Sequence, residues 1–149
     1  NLQYTGLTST SGTDYTISIY AKISADRNFL MINDHISSAF YRKTWFNLST
    51  GAVGTVNANH TASISDEGDG WYRCTRTYIA TEINNPNTFV IGNNSGSGQT
   101  AGPTVGEFIY LWGAMVSPGS TIVKYIKTGA SASTHKERGE VSKTYFDAQ

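Results

Sequence analysis

The chain has 149 residues, 11 Lys+Arg against 11 Asp+Glu, and 12% aromatic residues. That length suits one domain with a proper core and is short for two. Zero net charge leaves no basic excess to neutralise a phosphate backbone, which argues against nucleic-acid binding, and no apolar run approaches the ~18 residues needed to span a bilayer.

Charged residues make up only 15% of the chain, against about 25% in an average globular protein. Ser (16), Thr (19), Asn (11) and Gly (15) take their place. This uncharged polarity, with 9 Tyr, fits β-structure and adhesive surfaces. The opening NLQYTGLTST has neither the basic start nor the apolar stretch of a secretory signal. The single cysteine, Cys74, excludes an internal disulfide and Cys-based zinc sites. In an extended apolar-aromatic run it reads as a small buried hydrophobe.

In chain order, residues 15–24 (YTISIYAKIS) alternate. Tyr15, Ile17, Ile19, Ala21 and Ile23 share one face; Thr16, Ser18, Tyr20, Lys22 and Ser24 share the other. That period of two predicts a half-buried strand. A turn at 25–28 leads to an apolar strand at 29–33. The next strand is expected over 38–48, ending in the Ser49-Thr50-Gly51 turn. A short strand at 61–65 precedes the strong turn Asp66-Glu67-Gly68-Asp69-Gly70. Residues 71–80 (WYRCTRTYIA) form a long aromatic and β-branched strand. Residues 83–87 read as a loop, since Pro and Asn disfavour a central strand, and 88–93 as a strand. The polar stretch 93–104 reads as an exposed, mobile loop. Residues 106–117 are the most apolar segment and form a central strand, with Trp112 as a core residue. Residues 121–127 would add a last strand. From Ser131 the pattern fades into a linker or arm.

Short strands with turn signals every 8–12 residues, and no repeat or helical periodicity, predict an antiparallel β-sandwich, most simply a jelly roll. A closed barrel is the alternative. The runs YTISIYAKI (15–23), WFNLSTGAVGTV (45–56), ASISDEGDGWYRCTRT (62–77) and FIYLWGAMVSPGSTIVKYIKTGAS (108–131) add a resemblance. Their order and spacing are similar to the concanavalin-like jelly-roll domains of bacteriophage tail and fibre proteins. Those domains resemble the jelly-roll carbohydrate-binding modules of polysaccharide hydrolases. The resemblance covers roughly residues 2–131 and implies a two-sheet sandwich with a non-catalytic binding or scaffold role in a virion or secreted protein. It supplies no transferable set of ligand residues. Leu111-Trp112-Gly113-Ala114 stands where related modules often carry acids, so their structural calcium is not expected.

Glycan recognition needs aromatic faces for pyranose C–H surfaces and planar polar groups for hydroxyls. Tyr20 lies on the polar side of its strand. Trp45 alternates with the core-like Phe46 and Leu48 and should face outward. Trp71 and Arg73 share a parity opposite Tyr72, Cys74 and Tyr78. With Asn93 and Asn94 at a strand end, these residues make the candidate sugar-binding set. Structural roles compete: Trp71 could seal the end of the sandwich, and Arg73 could clamp the turn by pairing with Asp66, Glu67 or Asp69. Arg76 shares the parity of Cys74 and Tyr78. It would be buried and would need a partner such as Glu82 or Glu107, or a bulge to turn it outward.

Catalysis finds little support. Hydrolysis needs two converging carboxylates ~5–9 Å apart, and only Glu82 and Glu107 stand beside long strands. A lyase-like pairing of His35 or His60 with Tyr41 or Tyr72 is weak, as the histidines are scattered. No metal-ligand spacing occurs, and the glycine-rich stretch 92–106 is not a phosphate loop. The acidic turn at 66–69 could offer oxygens to calcium but lacks the full loop spacing. Three matches to the glycosylation acceptor, at Asn47, Asn59 and Asn93, arise readily in a chain so rich in Ser, Thr and Asn.

These readings give an all-β chain: an antiparallel two-sheet jelly-roll sandwich over 1–130 with an arm over 131–149. The expected function is non-catalytic carbohydrate binding for host-surface attachment by a virion tail or fibre. An assembly or decoration domain that binds other virion proteins is the alternative, and a lyase or glycosidase the remotest reading. No cofactor, nucleic acid or membrane insertion is expected. The setting is a virion or extracellular, and a homo-oligomer would supply avidity to weak single sites.

Overall fold

A computed structural model describes residues 2–24, 27–35, 41–80, 86–94, 108–127, 133–135 and 143–147. Eleven strands follow in order: β1 (Leu2–Thr8), β2 (Asp14–Lys22), β3 (Phe29–His35), β4 (Tyr41–Asn47), β5 (Ala52–Val56), β6 (His60–Asp66), β7 (Trp71–Ile79), β8 (Pro86–Asn94), β9 (Tyr110–Pro118), β10 (Ser133–His135) and β11 (Lys143–Asp147). They form a five-stranded sheet, β1-β8-β3-β4-β5, and a six-stranded sheet, β10-β11-β9-β2-β7-β6. Every neighbouring pair is antiparallel. The chain changes sheets from β1 to β2 and, in the opposite sense, from β7 to β8, while β1 pairs with β8 and β2 with β7. These two folded-over segments thus run antiparallel around the same corner of a two-sheet sandwich.

The core lies where alternation predicts it. Tyr15, Ile17, Ile19 and Ala21 of β2, with Cys74 and Tyr78 of β7, meet Leu30, Ile32 and Phe46 of the five-stranded sheet in one buried cluster. Each fully buried aliphatic side chain contributes about 1.5–3 kcal/mol. Ile23, past the end of β2, is 37% exposed. Cys74 is fully buried, and burial pushes its thiol pKa up, as suits a core position.

Several boundaries differ from the expectation. β1 and β5 are additional strands. Pro86 and Asn87 open β8 rather than sit in a loop, because a proline at the first position of a strand sacrifices no needed ladder donor. Residues 121–127 are not a strand. The described parts of 131–149 are β10 and β11, and β11 pairs with β9 through Phe146↔Val116 and Asp147↔Met115. The stretch 95–107, with most of the predicted glycine loop and Glu107, lies outside the described residues, as does Glu82.

Arg76 is fully buried on the inner parity of β7. Its Nε donates to His60 Nδ1 at 3.1 Å, and its Nη2 lies 3.2 Å from His60 Nε2. Its guanidinium carbon is 5.3 Å from the Tyr78 ring centroid. His60 sits across the ladder from Tyr78, edge-on to its ring. Among the described residues Arg76 meets a neutral imidazole and an aromatic face, while Glu82 and Glu107, offered from sequence as partners, lie outside them. Burial, then the charges of Arg76 and Arg42, lower the His60 pKa from 6.5 to about 3.

Unfolded, His60 takes up a proton near its ordinary value; folded, it stays neutral until far lower pH. The unfolded state binds that proton first on acidification, so this contribution is intact above about pH 6.5 and lost as pH falls toward 3. Urea unfolding should lose about 2 kcal/mol from this group by pH 5. His60→Gln should lose correspondingly less over the same interval, and parallel pH profiles for the two proteins would remove His60 as the cause.

Candidate functional site

The outer face of the six-stranded sheet carries the candidate site. On β7, Cys74 and Tyr78 point inward, so Trp71, Arg73, Thr75 and Thr77 point out. The ladder sets Tyr20 of β2 between Arg73 and Trp112, and Lys22 between Trp71 and Tyr110. Half of this face is covered. Thr16 and Ser18 are each 2% exposed, because residues 119–125 cross over them without strand pairing. Thr16 Oγ1 donates to the Gly119 carbonyl at 2.7 Å. Arg73 Nη2 donates to the Val123 carbonyl at 2.6 Å and to Ser18 Oγ at 3.2 Å. Tyr125 then packs on Trp112, with ring centroids 4.7 Å apart, and edge-on to Tyr20 at 6.4 Å.

Beyond this crossing segment the face opens into a cleft of about 370 Å³ lined by Tyr20, Trp71, Trp112, Glu67, Gly68 and Asp69. Trp112 is 53% exposed and lies 5.0 Å from Tyr20, ring to ring. The acidic wall is the β6–β7 turn. Asp66 accepts the Gly68 N–H at 2.9 Å, the Trp71 N–H meets the Gly68 carbonyl at 2.8 Å, and Ser65 Oγ donates to Glu67 Oε1 at 2.8 Å. Lys22 Nζ donates to the Asp69 backbone carbonyl at 2.6 Å. A second, smaller cleft of about 260 Å³ lies elsewhere on the same face, lined by hydroxyls of β6, β7 and Ser120, with neither a ring nor a charge in its wall.

Of the residues singled out from sequence, the structure brings Tyr20, Trp71 and Arg73 together. Arg73 is 9% exposed. It pairs with none of the turn acids; it stacks over the Tyr20 ring, 5.4 Å from guanidinium carbon to centroid, and pins the crossing segment. Trp45 has the predicted outward parity but is only 6% exposed, so no sugar-sized face is free. It also belongs to β4, in the other sheet, as Asn93 and Asn94 belong to β8. These three do not share the cleft.

Trp112 overturns the reading of it as a core residue. Between Ser18 and Tyr20 the β2–β9 register shifts, so Ile19 alone faces both Gly113 and Ala114. This is a β-bulge, with Gly113 at φ 62°. Without it, Trp112 would share the phase of the buried Ala114 and Val116. With it, Leu111 turns inward and Trp112 outward. The legible signal was a glycine inside an apolar strand. Tyr125 had no such signal, because it sits on irregular chain.

No protein-family model matches this chain, and no curated protein does. Among solved structures it is similar to the D2–D3 domains of the flagellar cap protein FliD from Escherichia coli. The identity is 13% and the TM-score 0.26, covering 99% of this chain and 93% of that one. Agreement at that level carries no argument about fold or role.

A Cβ added at Gly113 would lie 3.0 Å from Tyr20 Cδ2 and 3.2 Å from Tyr125 Cε2, on a backbone that L side chains rarely adopt. Gly113→Ala should therefore cost about 1–3 kcal/mol and lower the thermal midpoint. An unchanged midpoint would mean that this backbone is not held at positive φ.

Proposed function

We propose that this protein is a non-catalytic carbohydrate-binding domain whose glycan site is the cleft of Tyr20, Trp71 and Trp112. The observation that carries the reading is the meeting of three partly exposed rings with two carboxylates in one open cleft. Rings offer faces for pyranose C–H surfaces, and carboxylates accept hydrogen bonds from sugar hydroxyls. Both lining acids, Glu67 and Asp69, stand on one turn. Hydrolysis needs carboxylates on opposite sides of the scissile bond, so the lining suits retention of a glycan rather than its cleavage. The resemblance to phage tail and fibre domains suggests the setting, attachment of a virion to a host-surface polysaccharide.

One observation favours a second reading, assembly with other virion subunits. Phe108 and Tyr110 are each 50% exposed and stack edge-on at 5.3 Å, extending the apolar surface next to Trp112.

A glycan-array and affinity-electrophoresis screen of the whole chain separates the two. Trp71→Ala and Trp112→Ala should each weaken glycan binding at least about tenfold, the effect of removing a central aromatic anchor, with the fold retained by circular dichroism. Trp45→Ala should instead cost about 3–5 kcal/mol of stability, because that ring is buried. Binding to no glycan, together with association with other virion proteins, would favour assembly.

A further inference from the structure

We infer that the cleft selects glycans bearing a free amino group, whose ammonium meets the Glu67 and Asp69 carboxylates while the ring packs on the aromatic wall. The inference rests on the glycan-binding reading and adds the class of sugar. Among the described residues, the formal charges in the cleft lining are those of Glu67 and Asp69. Lys22 Nζ is bonded to the Asp69 backbone carbonyl, and Arg73 Nη2 to the Val123 carbonyl. Neither lines the cleft. Among the described residues nothing is bonded to the Asp69 carboxylate, and Ser65 engages only Oε1 of Glu67.

A uronic or sialic acid would bring a third carboxylate against this pair, with no lining cation among the described residues to receive it. An ammonium reverses the sign of that interaction. It also gains from the negative faces of Trp71, Trp112 and Tyr20, which attract cations within about 6 Å of a ring centroid. The acid wall is exposed, so the electrostatic part is modest and sensitive to salt.

The test uses the whole chain at pH 6.5 with three soluble probes of equal length: a glucosamine oligomer, its fully N-acetylated counterpart and a glucuronate oligomer. Calorimetry should show the glucosamine oligomer binding about fivefold more tightly than the acetylated one, and the glucuronate oligomer weakest. The preference, read as the ratio of the two affinities, should vanish in 0.5 M NaCl and in the Glu67→Gln/Asp69→Asn double variant, whatever that variant costs in absolute affinity. Equal or tighter binding of the acetylated or glucuronate probe would overturn the amino-group inference and leave glycan binding standing. So would a preference that survives in the double variant. Failure of all three probes, while a neutral glycan from the array binds, would overturn the inference alone. Failure of every glycan would overturn both readings.

Discussion

The candidate site depends on one extra residue in β9. Ile19 of β2 faces Gly113 and Ala114 together, and that mismatch reverses the in-out phase of β9 part-way along. Ala114 and Val116 fill the core on one side of the bulge, and Leu111 packs against it on the other. Trp112 emerges beside Tyr20. A strand without the bulge could not bury Ala114 and Val116 and also present Trp112, since side chains alternate strictly along a regular strand. The missing Cβ matters as much as the backbone twist, because the rings of Tyr20 and Tyr125 occupy the space it would take.

Around that point, β2 is buried on both faces for different reasons. Its inner face is apolar and meets the opposite sheet. Its outer face is a row of hydroxyls covered by residues 119–125, which cross it without strand pairing. Backbone polar groups on irregular chain need partners, and Thr16, Arg73 and Asp14 supply three of them. Two arginines of β7, three residues apart, therefore do opposite work. Arg73 fastens the covering chain outside, where its guanidinium meets a carbonyl. Arg76 sits in the interior, where a neutral His60 and the face of Tyr78 receive it. Burial first, and the neighbouring Arg76 charge second, are why His60 holds its proton so weakly.

The covered face ends where the cleft begins. The crossing segment delivers Tyr125 against Trp112 and Tyr20, so two of the rings that border the cleft pack on it. The β6–β7 turn supplies the opposite, acidic wall, and its internal hydrogen bonds hold Glu67 and Asp69 on a defined hairpin. A shallow cleft of rings and carboxylates fits a ligand held by many weak contacts. Repetition of the domain would multiply such contacts into useful avidity.

The period-two pattern of 15–21 and 71–78 placed Ile17, Ile19, Cys74 and Tyr78 inside, and Tyr20, Trp71 and Arg73 outside, without reference to structure. Turn chemistry at 49–51 and 66–70 marked the hairpins. These are local properties, set by alternation and by residues that favour turns, so the all-β class and half of the candidate cleft were determined by sequence alone. Which sheet each strand joins is not local. Trp45, Asn93 and Asn94 read as companions of Tyr20, yet the winding of the chain puts them in the other sheet. The phase reversal at Gly113, the covering of Thr16 and Ser18 by residues 119–125, and the choice of His60 as the companion of Arg76 were likewise decided only in the tertiary structure. Each depends on contacts between segments distant in the chain, and such contacts leave no periodic trace in either segment.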